Sequence, residues 1–115
     1  MKIKQQRLAN QITKIIAEII QFQLQDPDLG LVTISDLELS PDLSLAKVYV
    51  MITGGARQRK STMKALDNAK GFIRTALAKE LSTYKTPEIR FIYDDTLDKA
   101  QRIDELLNQV KKQDK

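Results

Sequence analysis

Between Lys47 and Lys85 the chain carries nine cations: Lys47, Arg57, Arg59, Lys60, Lys64, Lys70, Arg74, Lys79 and Lys85. Two carboxylates, Asp67 and Glu80, stand against them, so this stretch has a net charge of +7. Residues 1–46 hold four basic and six acidic side chains, and residues 86–115 hold six and seven. A basic block between two mildly acidic ones is the footprint of a face that neutralises phosphate. A solvated, lysine-rich surface helix gives the same count, so composition alone leaves both readings open.

Other chemistries are poorly supplied. The 115 residues include no histidine and no cysteine. That removes the usual general base, the commonest metal ligand, thiol catalysis and disulfides. A metal site would have to be built from oxygen alone, and no acidic loop has calcium-binding spacing. The carboxylates are scattered over turns and helix caps rather than converging. No enzymatic activity, cofactor or metal is expected. The first residues lack the apolar run of a signal peptide, and no stretch approaches the ~20 apolar residues of a membrane span. The expectation is a cytoplasmic, monomeric protein that makes no membrane contact.

The basic block needs a scaffold, and the length allows one domain. With 42% apolar residues, that domain can sustain a core without covalent staples. A first helix is predicted from about Lys4 to Leu24, with Leu8, Ile12, Ile15, Ile16, Ile19 and Phe22 on one face. It stops before Asp26-Pro27, because the residue preceding proline disfavours the α region, and Leu29-Gly30 completes the turn. Val32 and Ile34 alternate with polar residues, and so do Leu37 and Leu39, one step out of phase. That slip requires a bulge near Ser35-Asp36. Ser40-Pro41-Asp42 is a turn. Leu45 to Ile52 then forms an antiparallel partner, with Ala46, Val48, Val50 and Ile52 on one face and Lys47, Tyr49 and Met51 on the other.

After Thr53-Gly54-Gly55 comes a basic loop, Arg57 to Lys60, with Ser61 a candidate helix cap; the charge pattern also allows an earlier start. From Thr62 to Leu81 a straight helix would bury Lys70 and push Phe72 off the apolar arc. Breaking it at Lys70-Gly71 repairs both faults. One helix then buries Met63, Leu66 and Ala69, and a second buries Phe72, Ile73, Ala76, Leu77 and Leu81. Glycine tolerates such a break. The alternative is one long helix carrying a glycine at a cost of about 1 kcal/mol. A strand, Glu88 to Tyr93, follows Thr86-Pro87. The Asp94-Asp95-Thr96 cap leads to a last helix from about Leu97 to Lys111, with Ala100, Ile103, Leu107 and Val110 on its apolar side. The domain spans residues 1–111, and the tail, residues 112–115, frays. The order α-β-β-α-kink-α-β-α describes an α+β fold with helices on one face of a three-stranded sheet.

The order with its kinked helix pair resembles a type II KH domain, an RNA-binding fold. At the kink, where KH domains usually carry Gly-x-x-Gly, this chain has Ala69-Lys70-Gly71. That shortened form resembles the bacterial ribosome-binding factor A family. Five other stretches match the family in the same order: Asp26-Pro27-Asp28-Leu29-Gly30; Leu39-Ser40-Pro41-Asp42-Leu43-Ser44; Ala46-Lys47-Val48-Tyr49-Val50; Gly71-Phe72-Ile73-Arg74; and Pro87-Glu88-Ile89-Arg90-Phe91 leading to Tyr93-Asp94-Asp95. Together they cover about residues 4–105. The resemblance implies a three-stranded mixed sheet and a ribosome assembly factor. Such a factor binds the free small ribosomal subunit and 16S rRNA, with small-subunit ribosomal proteins as further contacts. It supports late maturation and 5′-end processing, with a link to cold adaptation.

The residues themselves suggest how RNA would be held. Backbone near Gly71 lacks a side chain and can approach phosphate, and the N-terminus of the helix beginning at Phe72 offers N–H groups. Lys70 and Arg74 flank that end, Lys60 and Lys64 extend the charge along the preceding helix, and Lys47 and Lys85 enlarge the patch. Gly71 has a second reading, as a residue that permits close packing, and Lys64 and Lys70 have one as ordinary solvated lysines. Phe72 is read as core rather than as a base-stacking platform. Two other functions fit the same residues. One is a KH-like single-stranded RNA binder unconnected with ribosomes; the other is an interaction module whose basic face meets an acidic protein.

Overall fold

Isoleucines 12, 15, 16 and 19 recur at helical spacing, and the computed structural model buries all four on one side of α1 (Ile3–Phe22). Residues 3–81, 85–100 and 102 are described. The buried face also takes in Ala9 and Ile20. Phe22, expected on that face, lies at its margin in the last turn and is 70% exposed. The helix ends two residues earlier than expected, with Gln23 and Leu24 both donating to the Ile19 carbonyl.

Strand β1 (Val32–Leu39) pairs antiparallel with β2 (Leu45–Ile52), and the register slips between Ile34 and Asp36. Ser35 is the extra residue. The bulge lets Val32 and Ile34 share the core side with Leu37 and Leu39 despite their opposite phase. Strand β3 (Glu88–Tyr93) lies parallel to β2, giving a mixed sheet in the order β1-β2-β3. Ala46, Val48, Val50 and Ile52 are buried beneath the helices, while Leu45, Lys47, Tyr49 and Met51 stand half-buried on the helix-free face.

Two helices connect β2 to β3 in place of one. Helix α2 (Ala56–Asn68) buries Thr62, Ala65 and Leu66, and α3 (Lys70–Glu80) buries Ile73 and Leu77. Ala69 separates them with φ −90° and ψ 0°, and its N–H is shared between the carbonyls of Ala65 and Leu66. The expected interruption is present, one residue ahead of its expected place. Gly71 lies inside α3 and does not make the break. The rows that reach the sheet are Leu66 and then Ile73, Leu77 and Leu81, four apart. Phe72 falls outside them and is 51% exposed, which corrects its assignment to the core. Met63, Ala69 and Ala76 are partly buried against the same core. Each fully buried aliphatic side chain contributes about 1.5–3 kcal/mol.

Thr62 is the buried polar residue of this core. Its hydroxyl accepts from the Gly30 N–H at 2.9 Å and from Gln58 Nε2 at 3.0 Å, and it can donate to the Asp28 carbonyl at 3.4 Å. The Asp-Pro-Asp-Leu-Gly loop is thereby tied to α2. Gly30 leaves room for the tie, since a Cβ there would come within 2.7 Å of Gln58 Nε2 and 3.1 Å of Thr62 Oγ1. Thr62→Val should therefore cost roughly 1–3 kcal/mol, because it leaves the Gly30 N–H unpaired. The urea midpoint of the variant checks this; an unchanged midpoint would mean the loop holds without the tie.

Residues 96–100 are helical, opening a helix capped at Asp95, whose carbonyl accepts from the Lys99 N–H. A clamp holds this turn to α2. Arg59 Nη1 reaches Asp98 Oδ2 at 2.8 Å, Tyr93 donates to the same oxygen at 2.7 Å, and the guanidinium stands 4.8 Å from the Tyr93 ring centre. The expectations for Ile103, Leu107, Val110 and residues 112–115 lie outside the described residues.

Candidate nucleic-acid interface

The expected basic loop is helical. Helix α2 begins at Ala56 with Gly55 as its cap residue, and Ser61 lies inside the helix rather than capping it. This places Arg57, Lys60 and Lys64 within about 60° of one another at 100° per residue. They form a row on the side of α2 opposite Thr62, Ala65 and Leu66, and all three are exposed. Arg57, read as part of a loop, was missed as a member of this row; the earlier helix start was the signal that could have placed it.

A cation in the first turn of a helix opposes its macrodipole, at a cost of ~0.3–1 kcal/mol. Arg57 stands there, no carboxylate in that turn compensates it, and no side chain caps Gly55. A cationic row that begins at an uncapped helix N-terminus is suited to an anionic ligand.

The junction with α3 adds an open backbone. Nothing lies within 4 Å of where a Cβ at Gly71 would stand, and the residue is exposed. Close packing therefore does not explain this glycine. Lys70 starts α3, but its ammonium folds back to Asp67 at 2.8 Å, so a carboxylate offsets its charge. Phe72, next in the chain, is exposed and lines a shallow pocket with Gln23, Thr75, Ala76, Lys79 and Glu80.

The remaining cations do not join this face. Arg74 Nη2 donates to the Thr86 carbonyl at 3.1 Å, which directs the guanidinium toward the start of β3. Lys85 stands near the β1–β2 turn, at the end of the sheet opposite the start of α2. There, hydrogen bonds from Ser44 and Ser40, with a smaller effect of the Lys85 charge, lower the Asp42 carboxyl to about 2. Lys47 lies on the helix-free side of the sheet, between Glu38 of β1 and Arg90 of β3. The seven expected binding residues thus divide into three places. One is α2 with the junction that follows it, which carry Lys60, Lys64, Lys70 and Gly71; Arg74 and Lys85 lie toward the start of β3; Lys47 is behind the sheet.

Residues 4–107 match the family model of ribosome-binding factor A. The chain belongs to the ribosome-binding factor A family. Solved structures agree. A candidate ribosome binding factor A from Thermotoga maritima is 46% identical, with a TM-score of 0.68 over 75% of this chain and 82% of that one. Ribosome-binding factor A of Thermus thermophilus is 31% identical, again at 0.68, over 76% and 91%. A homology model of the Thermus protein, fitted into a cryo-EM map of its complex with the 30S subunit, gives 0.65 at 31% identity over 76% and 92%. The likeness to these structures covers the α+β architecture with its three-stranded mixed sheet.

Proposed function

We propose that the chain is a non-catalytic assembly factor that binds the free small ribosomal subunit. On this reading it supports late maturation and 5′-end processing of 16S rRNA in the cytoplasm, with a greater demand for it in the cold. Family membership supports the reading, as does the Thermus relative placed in a complex with the 30S subunit. The observation that carries the mechanism is the outward cationic row of α2, followed in the chain by a junction whose glycine has open space around it. Arg57, Lys60 and Lys64 neutralise successive phosphates, and the unhindered backbone at Gly71 lets one phosphate approach the chain closely. With six aromatic residues in the whole chain, base-by-base stacking is too sparse to supply a sequence code.

Sedimentation of a cell lysate tests the partner. The chain should travel with free small subunits, be absent from translating ribosomes, and leave the subunit fraction after RNase treatment. Persistence on a protein residue after RNase would instead favour an acidic protein partner. The exposed ring of Phe72 favours a second reading, a single-stranded RNA binder that stacks one base beside Gly71. That reading requires isolated short RNA to bind and Phe72→Leu to abolish the binding.

The ion pair between Asp67 and Lys70 makes Asp67 a restraint on the interface. Asp67→Asn should tighten RNA association about fivefold at low salt, the equivalent of ~1 kcal/mol for one released exposed cation. Filter binding over a salt series checks this. Unchanged affinity would remove Lys70 from the interface.

A further inference from the structure

The half of the molecule that the RNA reading leaves unused has the opposite charge. From Ile15 to Ala46 the chain carries six carboxylates and no lysine or arginine. Strand β1 in that stretch is an edge of the sheet. Between the edge and the flank of α1 runs a groove of about 550 Å³, walled by Ala17, Ile20 and Leu24 above and by Leu31, Val32 and Ile34 below. Leu31 is 70% exposed, and Val32 and Ile34 are half-buried. Asp26 lines the groove, Asp28 follows it, and Asp36 stands on β1 just beyond Ile34; all three are exposed. Among the described residues no ion pair neutralises them.

Edge strands are commonly blunted by lysine, proline or a bulge. Here the bulge at Ser35 blunts the distal part of β1 and leaves Val32 to Ile34 in regular register. We propose that this edge receives a basic, extended segment of a partner protein, paired as a short fourth strand under α1. Side chains of an added strand alternate between the two faces. Apolar ones would enter the groove against Ala17, Ile20 and Leu24, and lysines or arginines would stand on the other side, near Asp36, with Glu38 beyond it already flanked by Lys47 and the Tyr49 hydroxyl. The carboxylates select this occupant. They repel RNA phosphates, and a second copy of the chain paired through β1 would bring Asp36 and Glu38 against their own kind.

The probe is a short synthetic peptide alternating lysine and valine, titrated into the full chain while backbone amide shifts are followed. Its counterpart, with glutamate for lysine, is titrated in parallel. The lysine peptide should shift Leu31 to Ile34 and the Ala17–Leu24 flank of α1, and the glutamate peptide should shift neither. Ala17→Arg places a cation and bulk at an exposed helical position that tolerates arginine, and circular dichroism checks its fold. It should weaken the lysine peptide about tenfold, whereas Ala17→Ser should not. Equal binding of both peptides, shifts confined to α2, displacement of the peptide from this edge by RNA, or self-association through Leu31 to Ile34 without peptide would each overturn the proposal.

Discussion

Exchanging Lys60 and Lys64 together for glutamine should weaken association with small subunits about thirtyfold at low salt while leaving the fold intact. Both side chains are exposed on the side of α2 opposite its buried residues, so stability should change by less than ~0.5 kcal/mol. The loss corresponds to ~1 kcal/mol for each cation, the upper end for exposed pairs, and two such losses multiply to that factor. The slope of log affinity against log salt should fall by about 2, one for each phosphate contact removed. Arg74→Gln with Lys85→Gln should cost clearly less, because Arg74 is held toward Thr86 and Lys85 stands at the other end of the sheet. Direct titration of purified subunits with each double variant gives both numbers. Equal losses from the two pairs would mean that the α2 row has no special part in binding.

Gly71 separates stability from binding. A Cβ there meets nothing and the backbone is helical, so Gly71→Ala should raise stability by about 0.5–1 kcal/mol through helix propensity. If phosphate approaches this backbone, the same methyl group should weaken binding. Gly71→Val should weaken it further, about tenfold to a hundredfold. That range corresponds to the ~1.5–3 kcal/mol of one hydrogen bond to a charged group. A glycine kept for folding would show the opposite pattern, with stability lost and binding retained. Thermal unfolding beside subunit titration of the two variants distinguishes the cases.

Much of the scaffold is written in periodicity. The bulge at Ser35 is legible because a strand has a period of two, and a one-residue slip between Ile34 and Leu37 has no other regular resolution. The break between α2 and α3 is legible because one straight helix would bury Lys70. Its position is less so, since side-chain phase reports that the axis changes but not which backbone residue turns. The structure puts the turn at Ala69, and that displacement moves Phe72 out of the core. Thr62 is hidden for a different reason. A threonine inside an apolar arc looks like an imperfection until the Gly30 N–H and the Asp28 carbonyl it serves, some thirty residues earlier in the chain, are brought beside it.

The candidate site was legible as a charge count and not as a surface. Nine cations in sequence order say nothing about which side of an element each one occupies. Lys47 belongs to a strand whose alternate residues face away from the helices, so its charge is turned from α2 even though it opens the same basic block. Asp67 went unweighted because a single carboxylate among cations barely changes a sum, yet at i,i+3 it takes up Lys70 directly. Strand order is not legible in periodicity; the family likeness implies a mixed sheet, and the structure places β2 at its centre with β3 parallel to it.

The absence of native cysteine makes one measurement especially direct. An iron chelate attached at Lys64→Cys on the outer face of α2, or at Arg90→Cys on the helix-free face of the sheet, generates hydroxyl radicals that cut nearby RNA when the chain is bound to the small subunit. A tether at position 64 should cut 16S rRNA strongly at a compact set of sites, and one at position 90 should cut weakly or not at all. Strong cutting from position 90 with silence from position 64 would show that the molecule meets the ribosome with its other side.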